Sequence, residues 1–273
     1  MDLNQLKLNE LACAKGASSW LTSLPLAEEG YELHKDLFWD LIRLRYGFQL
    51  RRVPTKCECG SSFDLQHALS CKKGGFISLR HNDLRNSIAL LLKNVCKAKD
   101  VTTEPLLSPL TGENLTGQSA NKSDEARLDI HARGFWQTSQ SAFFDVRVFN
   151  PLAKRHASQD LKKCFEINER EKKRAYNERI LEVEHGSFTP LVFSATGGVG
   201  RECDKFLKRL AEMISFKENK TYNAVIAWIR QKISFSLCRS VGVCLRGSRT
   251  VFRSVDPIMD KDIGISLIET QIN

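Results

Sequence analysis

Four residues with the chemistry of metal ligands lie in one short segment, CECGSSFDLQHALSC. They are Cys57, Cys59, His67 and Cys71. Three thiolates and one imidazole can complete a tetrahedral zinc site, and four protein ligands leave no position open, so such a site would be structural. Bound zinc would fold this segment and fix it to the helix that follows. The alternative is three free cysteines beside a surface histidine.

Two aspartates stand inside apolar, strand-like runs. Asp129 lies in ARLDIHA and Asp145 in AFFDVRVF, and the turn-like RGFWQTSQS separates the runs. If the runs pair as a hairpin, the two carboxylates converge. Carboxylates that close repel each other, and a divalent cation removes the repulsion. Mg²⁺ accepts carboxylate oxygens and keeps waters for chemistry on phosphate, so the pair predicts a magnesium site.

Alternation within the first run sets the direction of each side chain. Residues two apart on a strand share a face. The run therefore predicts Asp129 on the same face as Arg127 and His131, with Leu128 and Ile130 on the opposite face.

Ion pairing is the alternative to metal binding for both acids. Asp145 shares a predicted face with Arg147 and can pair with it across strands. Asp129 can pair with Arg127 or Arg133. Spacing alone leaves the two interpretations equal.

The string Arg80-His81-Asn82 stands before an amphipathic stretch at residues 84–97. Asn82 or Asp83 is predicted to cap this helix. A position at a helix N-terminus favours contact with phosphate or orientation of a catalytic group. The alternative is that the three residues are only a helix cap.

The run EREKKRAYNERI concentrates basic side chains on one predicted helix. A solvated helix face with i, i+4 ion pairs is the commonest explanation for such a run. A surface that contacts the phosphate backbone is the functional alternative. The residues concerned are Lys172, Lys173, Arg174, Tyr176 and Arg179.

Composition favours a soluble protein with an acidic partner. The chain has 273 residues, of which 41 are Lys or Arg and 32 are Asp or Glu, giving a net charge of +9. Nucleic acid is the first candidate for such a balance. No apolar run is long enough to span a membrane and no secretory signal is visible, so we expect a nuclear or cytoplasmic protein that is not secreted. Nine irregularly spaced cysteines do not indicate a disulfide framework.

The periodicity of the chain predicts an α/β fold with a small mixed β-sheet flanked by helices. The segment Leu33 to Gln49 has a helical stripe, with Gly47 as its stop. That stripe is Leu33, Leu37, Leu41, Leu44 and Phe48. The remaining predicted elements are a strand at VTTEPLL ended by Pro105, a loop at 108–125, the two aspartate-bearing strands, a helix at 158–183, a strand at TPLVFSAT, a tight turn at GGVG, a helix at RECDKFLKRLAEMI and an amphipathic helix at 222–245.

The order of these motifs resembles the restriction-like endonuclease domain of site-specific non-LTR retrotransposons. That domain carries a zinc knuckle, a Lys/Arg-His-Asn motif and a PD-(D/E)xK nuclease core. The resemblance covers roughly residues 55–200, and the helical segment before Cys57 looks like the linker that joins polymerase to nuclease. It implies a PD-(D/E)xK restriction-endonuclease-like core with a zinc-knuckle loop.

Carried over residue by residue, the resemblance assigns both metal sites. The zinc ligands would be Cys57, Cys59, His67 and Cys71. Asp129 and Asp145 would bind catalytic Mg²⁺ or Mn²⁺, and Glu104, in the strand TTEPLL, would be a third acidic ligand. The expected nucleic-acid contacts are Arg80, His81, Asn82, Arg174 and Tyr176.

The sequence departs from the family pattern at two positions. Leu128 replaces the proline before the first acid, where the role is backbone shape. Arg147 occupies the lysine position, and an arginine stays protonated, so it can orient or stabilise charge but cannot change protonation state. Lys172 or Lys173, on the following helix, could take over the lysine's role.

The resemblance implies four segments and one activity. The segments are a helical linker-like part at 1–52, the zinc knuckle at 53–76, the nuclease-like core at 77–217, and a C-terminal amphipathic helix with a tail at 218–273. The expected activity is metal-dependent DNA nicking by phosphodiester hydrolysis, with DNA as partner and the element RNA as a further candidate. The alternative is a catalytically weak or inactive, nuclease-derived DNA-binding module that keeps the zinc loop.

Overall fold

The computed structural model describes residues 3–108 and 127–247. The predicted loop at 108–125, apart from Ser108, and the tail after residue 247 lie outside the described residues. The helices are α1 Leu3–Cys13, α2 Ser19–Thr22, α3 Lys35–Arg45, α4 Leu65–Ala68, α5 Phe76–Val95, α6 Leu161–Glu182, α7 Arg201–Glu218 and α8 Tyr222–Arg246. The strands are β1 Val101–Thr103, β2 Ile130–Arg133, β3 Ser141–Phe149 and β4 Ser187–Ser194.

The four strands form one mixed sheet in the order β1-β2-β3-β4. β1 pairs antiparallel with β2, and β2 with β3, whereas β3 and β4 are parallel. A parallel pair needs a crossover connection, which α6 provides. The predicted α/β class with a mixed sheet is confirmed.

Helices cover both faces of the sheet. Phe144 and Val146 of β3 face the largest apolar cluster, which also contains residues of α5, α7 and α8. Phe143 and Phe149 face the opposite side, where residues of α6 pack. Because both faces are covered, Ala142 to Val146 are buried without interruption.

α8 joins the sheet-bearing core to the N-terminal helices. Its predicted stripe is buried, from Val225 through Ile229 and Ile233 to Val241. The C-terminal half of the helix packs in a second cluster with Leu37 and other residues of α2, α3 and the loop around α4. Within the described ranges, no helix is long and apolar enough to cross a membrane.

α5 begins earlier than the sequence predicted. It starts at Phe76, after Gly74 and Gly75, whose φ angles of 85° and 72° make a left-handed turn that favours glycine. The prediction that Asn82 or Asp83 caps this helix is therefore wrong. Phe76 packs against the second cluster, and this contact extends the helix towards its N-terminus.

α3 ends earlier than its apolar stripe predicted. The helix stops at Arg45, and Gly47 adopts a φ of 71°. Phe48 consequently leaves the helical face and is 63% exposed, although the spacing placed it in the core.

Candidate zinc and carboxylate sites

The Cys/His loop, residues 53–76, brings its four candidate ligands together. Cys57 Sγ lies 3.8 Å from Cys71 Sγ, and Cys59 Sγ lies 3.2 Å from His67 Nε2. All four ligand atoms are within 4.8 Å of one another. Two sulfurs that share a tetrahedral zinc at about 2.3 Å would lie roughly 3.8 Å apart. The group can therefore hold a metal ion, and its dimensions suit zinc.

Short backbone structures place these ligands. Gly60, at a φ of 87°, closes a turn in which its N–H donates to the carbonyl of Cys57 at 2.8 Å. The side chain of Asp64 accepts from the N–H of His67 at 2.7 Å and so caps α4. The N–H of Cys71 donates to the carbonyl of His67 at 2.7 Å. Each ligand is thus fixed by contacts inside the loop itself.

Hydrogen bonds favour the thiolate form at two of the sulfurs. A backbone hydrogen bond from Cys59 lowers the pKa of Cys57 to about 6. Hydrogen bonds from the Ser61 side chain and backbone lower the pKa of Cys59, whereas burial raises the pKa of Cys71. The thiolate is the form that binds metal, so the loop is electrostatically prepared for a cation.

The carboxylate site, formed by Asp129, Asp145 and Lys172, lies where β2 leaves β3. The last paired residues are Ile130 and Phe144, and β3 continues to Phe149 beside β4 alone among the described strands. The position of Asp129 is one step beyond this last pair, next to Asp145. The register of the two strands therefore places Asp129 next to Asp145, as the two runs predicted.

Asp129 lies at a bend just before β2, not inside the strand. The bend changes the alternation of side-chain directions that the sequence predicted. Leu128 packs with Phe143 and Ile180 on the α6 side, whereas Ile130 faces the core on the other side of the sheet. The prediction that Leu128 and Ile130 share a face is wrong for this reason.

The carboxylate of Asp129 accepts a hydrogen bond from β3 at a position where a paired strand would offer a backbone carbonyl. Its Oδ2 accepts from the N–H of Val146 at 2.6 Å, and His81 Nε2 lies 3.0 Å from the same oxygen. His81 Nε2 also lies 3.0 Å from the carbonyl of Val146. Side chains of Asp129 and His81 thus meet the backbone groups of β3 where β2 no longer pairs with it.

Asp145 is buried, with 4% exposure, and faces α6. Lys172 Nζ lies 2.8 Å from its Oδ2. This ammonium supplies the positive charge that compensates the buried carboxylate. Asp145 pairs with Lys172 and not with Arg147, so the predicted cross-strand pair is wrong.

Burial raises the pKa of Asp145 to about 6. The ammonium of Lys172 acts against this shift, and the charge of Asp129 adds to it. A carboxylate in this position is costly when ionised and gains from any nearby cation. Among the charged groups around Asp145, Lys172 contributes most against this cost.

His81 and Tyr176 respond to the same two acids. Burial would lower the pKa of His81, but the hydrogen bond and charge of Asp129 outweigh it and raise this pKa. Burial and the charges of Asp145 and Asp129 raise the pKa of Tyr176 to about 12. The ring of Tyr176 also lies 5.6 Å from Lys172 Nζ, so both side chains border the carboxylate site.

Arg147 shares the α6 side of β3 with Asp145 but has its own partner. Its Nη1 lies 2.8 Å from Glu171 Oε2, and Arg155 lies 3.7 Å from the same oxygen. Sequence reasoning missed Glu171, since its partner is on β3 and no short-range spacing connects the two.

Two predicted catalytic residues point away from the acids. Glu104 follows β1 instead of lying in it, has a φ of 51°, and pairs with Arg85. Its backbone N–H nevertheless donates to the carbonyl of Asp129 at 2.9 Å. Lys173 lies 3.3 Å from Glu202 at the start of α7, so of the two lysines it is Lys172 that reaches the site.

The predicted nucleic-acid contacts separate into buried and exposed positions. Arg80 is 3% exposed and donates to the carbonyls of Leu69 and Val148, so it lies in the interior and the expected contact is wrong. Asn82 and Arg174 are exposed. Since α5 begins at Phe76, the Arg-His-Asn string lies inside a helix and not at an N-terminus.

The glycines at 197–200 make the predicted turn before α7 but offer no anion site. The buried carboxylate of Glu169 accepts from the N–H of Glu202 at 3.0 Å, so the protein's own acid occupies this helix start. A Cβ at Gly200 would come within 2.3 Å of Glu169 Oε1, which explains the glycine. The predicted tight turn is therefore present, and Glu169 occupies the start of the helix that follows it.

Neither a scan against protein-family models nor a search of curated proteins finds a match to this chain. Its function must therefore be argued from the two sites.

Proposed function

We propose that the protein is a metal-dependent DNA endonuclease that nicks by phosphodiester hydrolysis. The observation that carries the proposal is the convergence of Asp129, Asp145 and Lys172 where β2 leaves β3. Buried carboxylates are expensive without a compensating charge, and here the buried Asp145 lies beside the partly buried Asp129. Catalytic sites are where such perturbed groups are expected to gather.

Asp129 and Asp145 would hold Mg²⁺ or Mn²⁺. The bound ion would supply a water of lowered pKa and stabilise charge on the reacting phosphate. Asp145 is the more deeply buried of the two acids, so its carboxylate would gain most from the ion. Glu104 is turned to Arg85, so it is not assigned a ligand role.

Lys172 takes the place that the family pattern gives to a lysine on the strand. Its ammonium lies beside Asp145 and would stabilise negative charge on a phosphate bound next to this acid. Arg147, held by Glu171, stays charged and stabilises the phosphate as a fixed positive group. His81 holds Asp129 by its Nε2 atom and so acts as a positioning residue.

The Cys/His loop is proposed as a structural zinc site in the same protein. Its apolar residues Phe63 and Leu65 pack in the second cluster, so folding of the loop is coupled to α3 and α8. The partner is proposed to be DNA, with the element RNA as a further ligand. A retrotransposon origin is proposed from the shared order of motifs.

The decisive experiment is a nicking assay on supercoiled plasmid with Mg²⁺, comparing the wild type with Asp145→Ala. The matched control is Asp204→Ala on α7, an acid already paired with Lys208 at 2.6 Å. We expect metal-dependent nicking by the wild type and the control and none by Asp145→Ala. Equal cleavage by all three proteins would remove the assignment.

A second candidate is a nuclease-derived module that binds DNA without cutting it. It is favoured by one observation: Lys172 and His81 already satisfy the two acids without a metal. This candidate predicts DNA binding that weakens steeply with salt and no metal-dependent nicking in the same preparation.

A further inference from the structure

Three aromatic side chains stand exposed on and after α3, where apolar residues are normally buried. Trp39, Tyr46 and Phe48 are 53%, 54% and 63% exposed, and together they are called the aromatic patch. Trp39 and Tyr46 are seven residues apart and so share one side of α3 and its C-terminal cap. The rings of Tyr46 and Phe48 lie 6.2 Å apart between centroids. Two rings of the patch are therefore adjacent, and the third lies about two turns away on the same side of the helix.

Several hydrogen bonds hold the segment that carries the patch in place. The N–H of Phe48 donates to the carbonyl of Arg43 at 2.8 Å, and Arg43 Nη1 donates to the carbonyl of Gln49 at 3.2 Å. A ligand would therefore meet a surface already formed, which reduces the entropy lost on binding.

Arg246 of α8 ties the next residues to the core. It donates to Asp40 through two nitrogens, each at 2.7 Å. It also donates to the carbonyls of Arg51 and Arg52, each at 3.0 Å. This arrangement turns the backbone carbonyls inwards and leaves the side chains of Arg51 and Arg52 exposed.

The surroundings of the patch are basic. Residues 34–56 contain six Lys or Arg against two Asp or Glu. One of the two acids, Asp40, is neutralised by Arg246. Exposed Arg51, Arg52 and Lys56 follow the patch directly and lead into the Cys/His loop. An apolar partner surface would not match this charge, whereas a polyanion would.

Exposed aromatic rings beside basic side chains fit one class of ligand. The bases of a single strand present open faces that stack on aromatic rings, while the phosphates follow a basic groove. A duplex hides those faces in its own stack. We propose that the aromatic patch with Arg51, Arg52 and Lys56 binds single-stranded nucleic acid by base stacking. This function is separate from the carboxylate site and does not rest on it.

The test measures binding of a labelled oligothymidylate of about 20 nucleotides by fluorescence anisotropy. An oligouridylate of the same length and a duplex of the same length are parallel probes. The variants are Tyr46→Ala and Phe48→Ala. The control is Phe216→Ala, a 93% exposed phenylalanine on α7. Melting temperatures establish that each variant is folded.

Each patch substitution should weaken single-strand binding about tenfold and change duplex binding by less than about twofold. The control should match the wild type. Arg51→Gln should weaken binding to both kinds of probe and reduce the salt dependence, because it removes a phosphate contact. If the patch variants bind the single strand as the wild type does, or lose single strand and duplex equally, the proposal is overturned.

Tryptophan fluorescence gives a direct readout of stacking. Trp20 and Trp228 are buried and Trp136 is half-buried, so Trp39 is the most exposed of the four tryptophans. Single strands should quench the emission of the wild type, and Trp39→Phe should remove most of this quenching. Quenching that persists in Trp39→Phe would contradict stacking at the patch. Asp145→Asn should retain the quenching even if it does not nick DNA, which separates this proposal from the nuclease proposal.

Discussion

The Cys/His loop and the carboxylate site are both candidate metal sites, but they are built in opposite ways. The loop gathers its ligands from 15 consecutive residues, and its turns are closed by hydrogen bonds within the loop. The carboxylate site draws on a bend before β2, on β3 and on α6, with His81 reaching in from α5. A local site depends on its ion for structure, whereas a site built by the whole fold can stand without one.

The difference also appears in the compensation of charge. In the carboxylate site the protein already supplies cations, since Lys172 lies beside Asp145 and His81 beside Asp129. In the Cys/His loop, hydrogen bonds stabilise the thiolates of Cys57 and Cys59, and the four ligand atoms lie close enough to share one cation. Removal of a ligand should therefore have opposite effects on stability at the two sites.

The largest effect is expected from Cys71→Ser. Structural zinc binding contributes on the order of 10 kcal/mol, and only four metal–ligand bonds provide it. Loss of one of the four ligands should therefore lower zinc affinity by about 10³-fold or more. The melting temperature should fall by on the order of 10 °C. Metal analysis and competition with a chromophoric chelator measure the first effect, and thermal unfolding the second.

The matched control for this prediction is Cys13→Ser, an exposed thiol outside the loop. It should retain one zinc per chain and the wild-type melting temperature. A wild-type protein purified without zinc, or equal losses in both variants, would contradict the structural role of the loop.

At the carboxylate site, Asp145→Asn should reduce nicking by about 10²- to 10³-fold, yet stabilise the metal-free protein at neutral pH. Burial raises the pKa of Asp145 to about 6, above its ordinary value. The folded chain therefore binds more protons than the unfolded chain between about pH 4 and pH 6. The stability from this group is present at low pH and is lost as the pH rises to about 6.

Chemical denaturation with a chelator present tests the sign of this effect. Asp145→Asn should gain on the order of 2 kcal/mol in free energy of unfolding at pH 7 and little at pH 4. The control Asp204→Asn should show no such pH-dependent gain. Destabilisation by Asp145→Asn at pH 7 would mean that both metal sites respond alike, and the contrast between them would be lost.

The same contrast explains what the sequence could predict. The four ligands of the Cys/His loop were identified because their spacing is short and their types are specific. The α/β class followed from periodicity, and the proximity of Asp129 and Asp145 from the pairing of two neighbouring runs as a hairpin. The bend that reverses Leu128, and the exposure of Phe48 beyond the end of α3, were missed because tertiary packing decided them.

The lysine of the carboxylate site marks the limit of such reasoning. Sequence left Lys172 and Lys173 as equal candidates, since adjacent helical residues differ by about 100° in direction. Packing of α6 on β3 and β4 placed Lys172 beside Asp145 and Lys173 beside Glu202. The rotation of α6 about its axis could not be determined from sequence alone. The burial of Arg80 could not be predicted from sequence either, because one of its acceptors is the carbonyl of Val148, 68 residues away in the chain.

A smaller effect is expected from Lys172→Met. Nicking should fall about 10- to 100-fold, in the lower range of what one positioned group contributes. Lys162→Met, at an exposed lysine in the first turn of α6, is the control and should retain wild-type activity. Arg147→Lys should not rescue Lys172→Met, because Glu171 holds the side chain at position 147 away from Asp145. Rescue would instead place the working lysine on the strand, as in the family pattern.

The smallest effect is expected from Asp64→Ala, which removes a contact that positions a ligand and leaves all four ligands in place. Its carboxylate caps α4 and holds the N–H of His67 at 2.7 Å. Loss of a cap costs about 1 kcal/mol, so zinc affinity should fall about fivefold. Nicking at saturating zinc should be unchanged, since no element of the carboxylate site contains this residue.

The control is Asp160→Ala, which removes the corresponding N-terminal cap of α6. This variant loses the same kind of hydrogen bond, but at the helix that carries Lys172. It should leave zinc affinity unaltered and reduce nicking modestly. If each cap variant disturbed both sites equally, the two metal sites would be one cooperative unit, and the distinction between a local and a fold-built site would not hold.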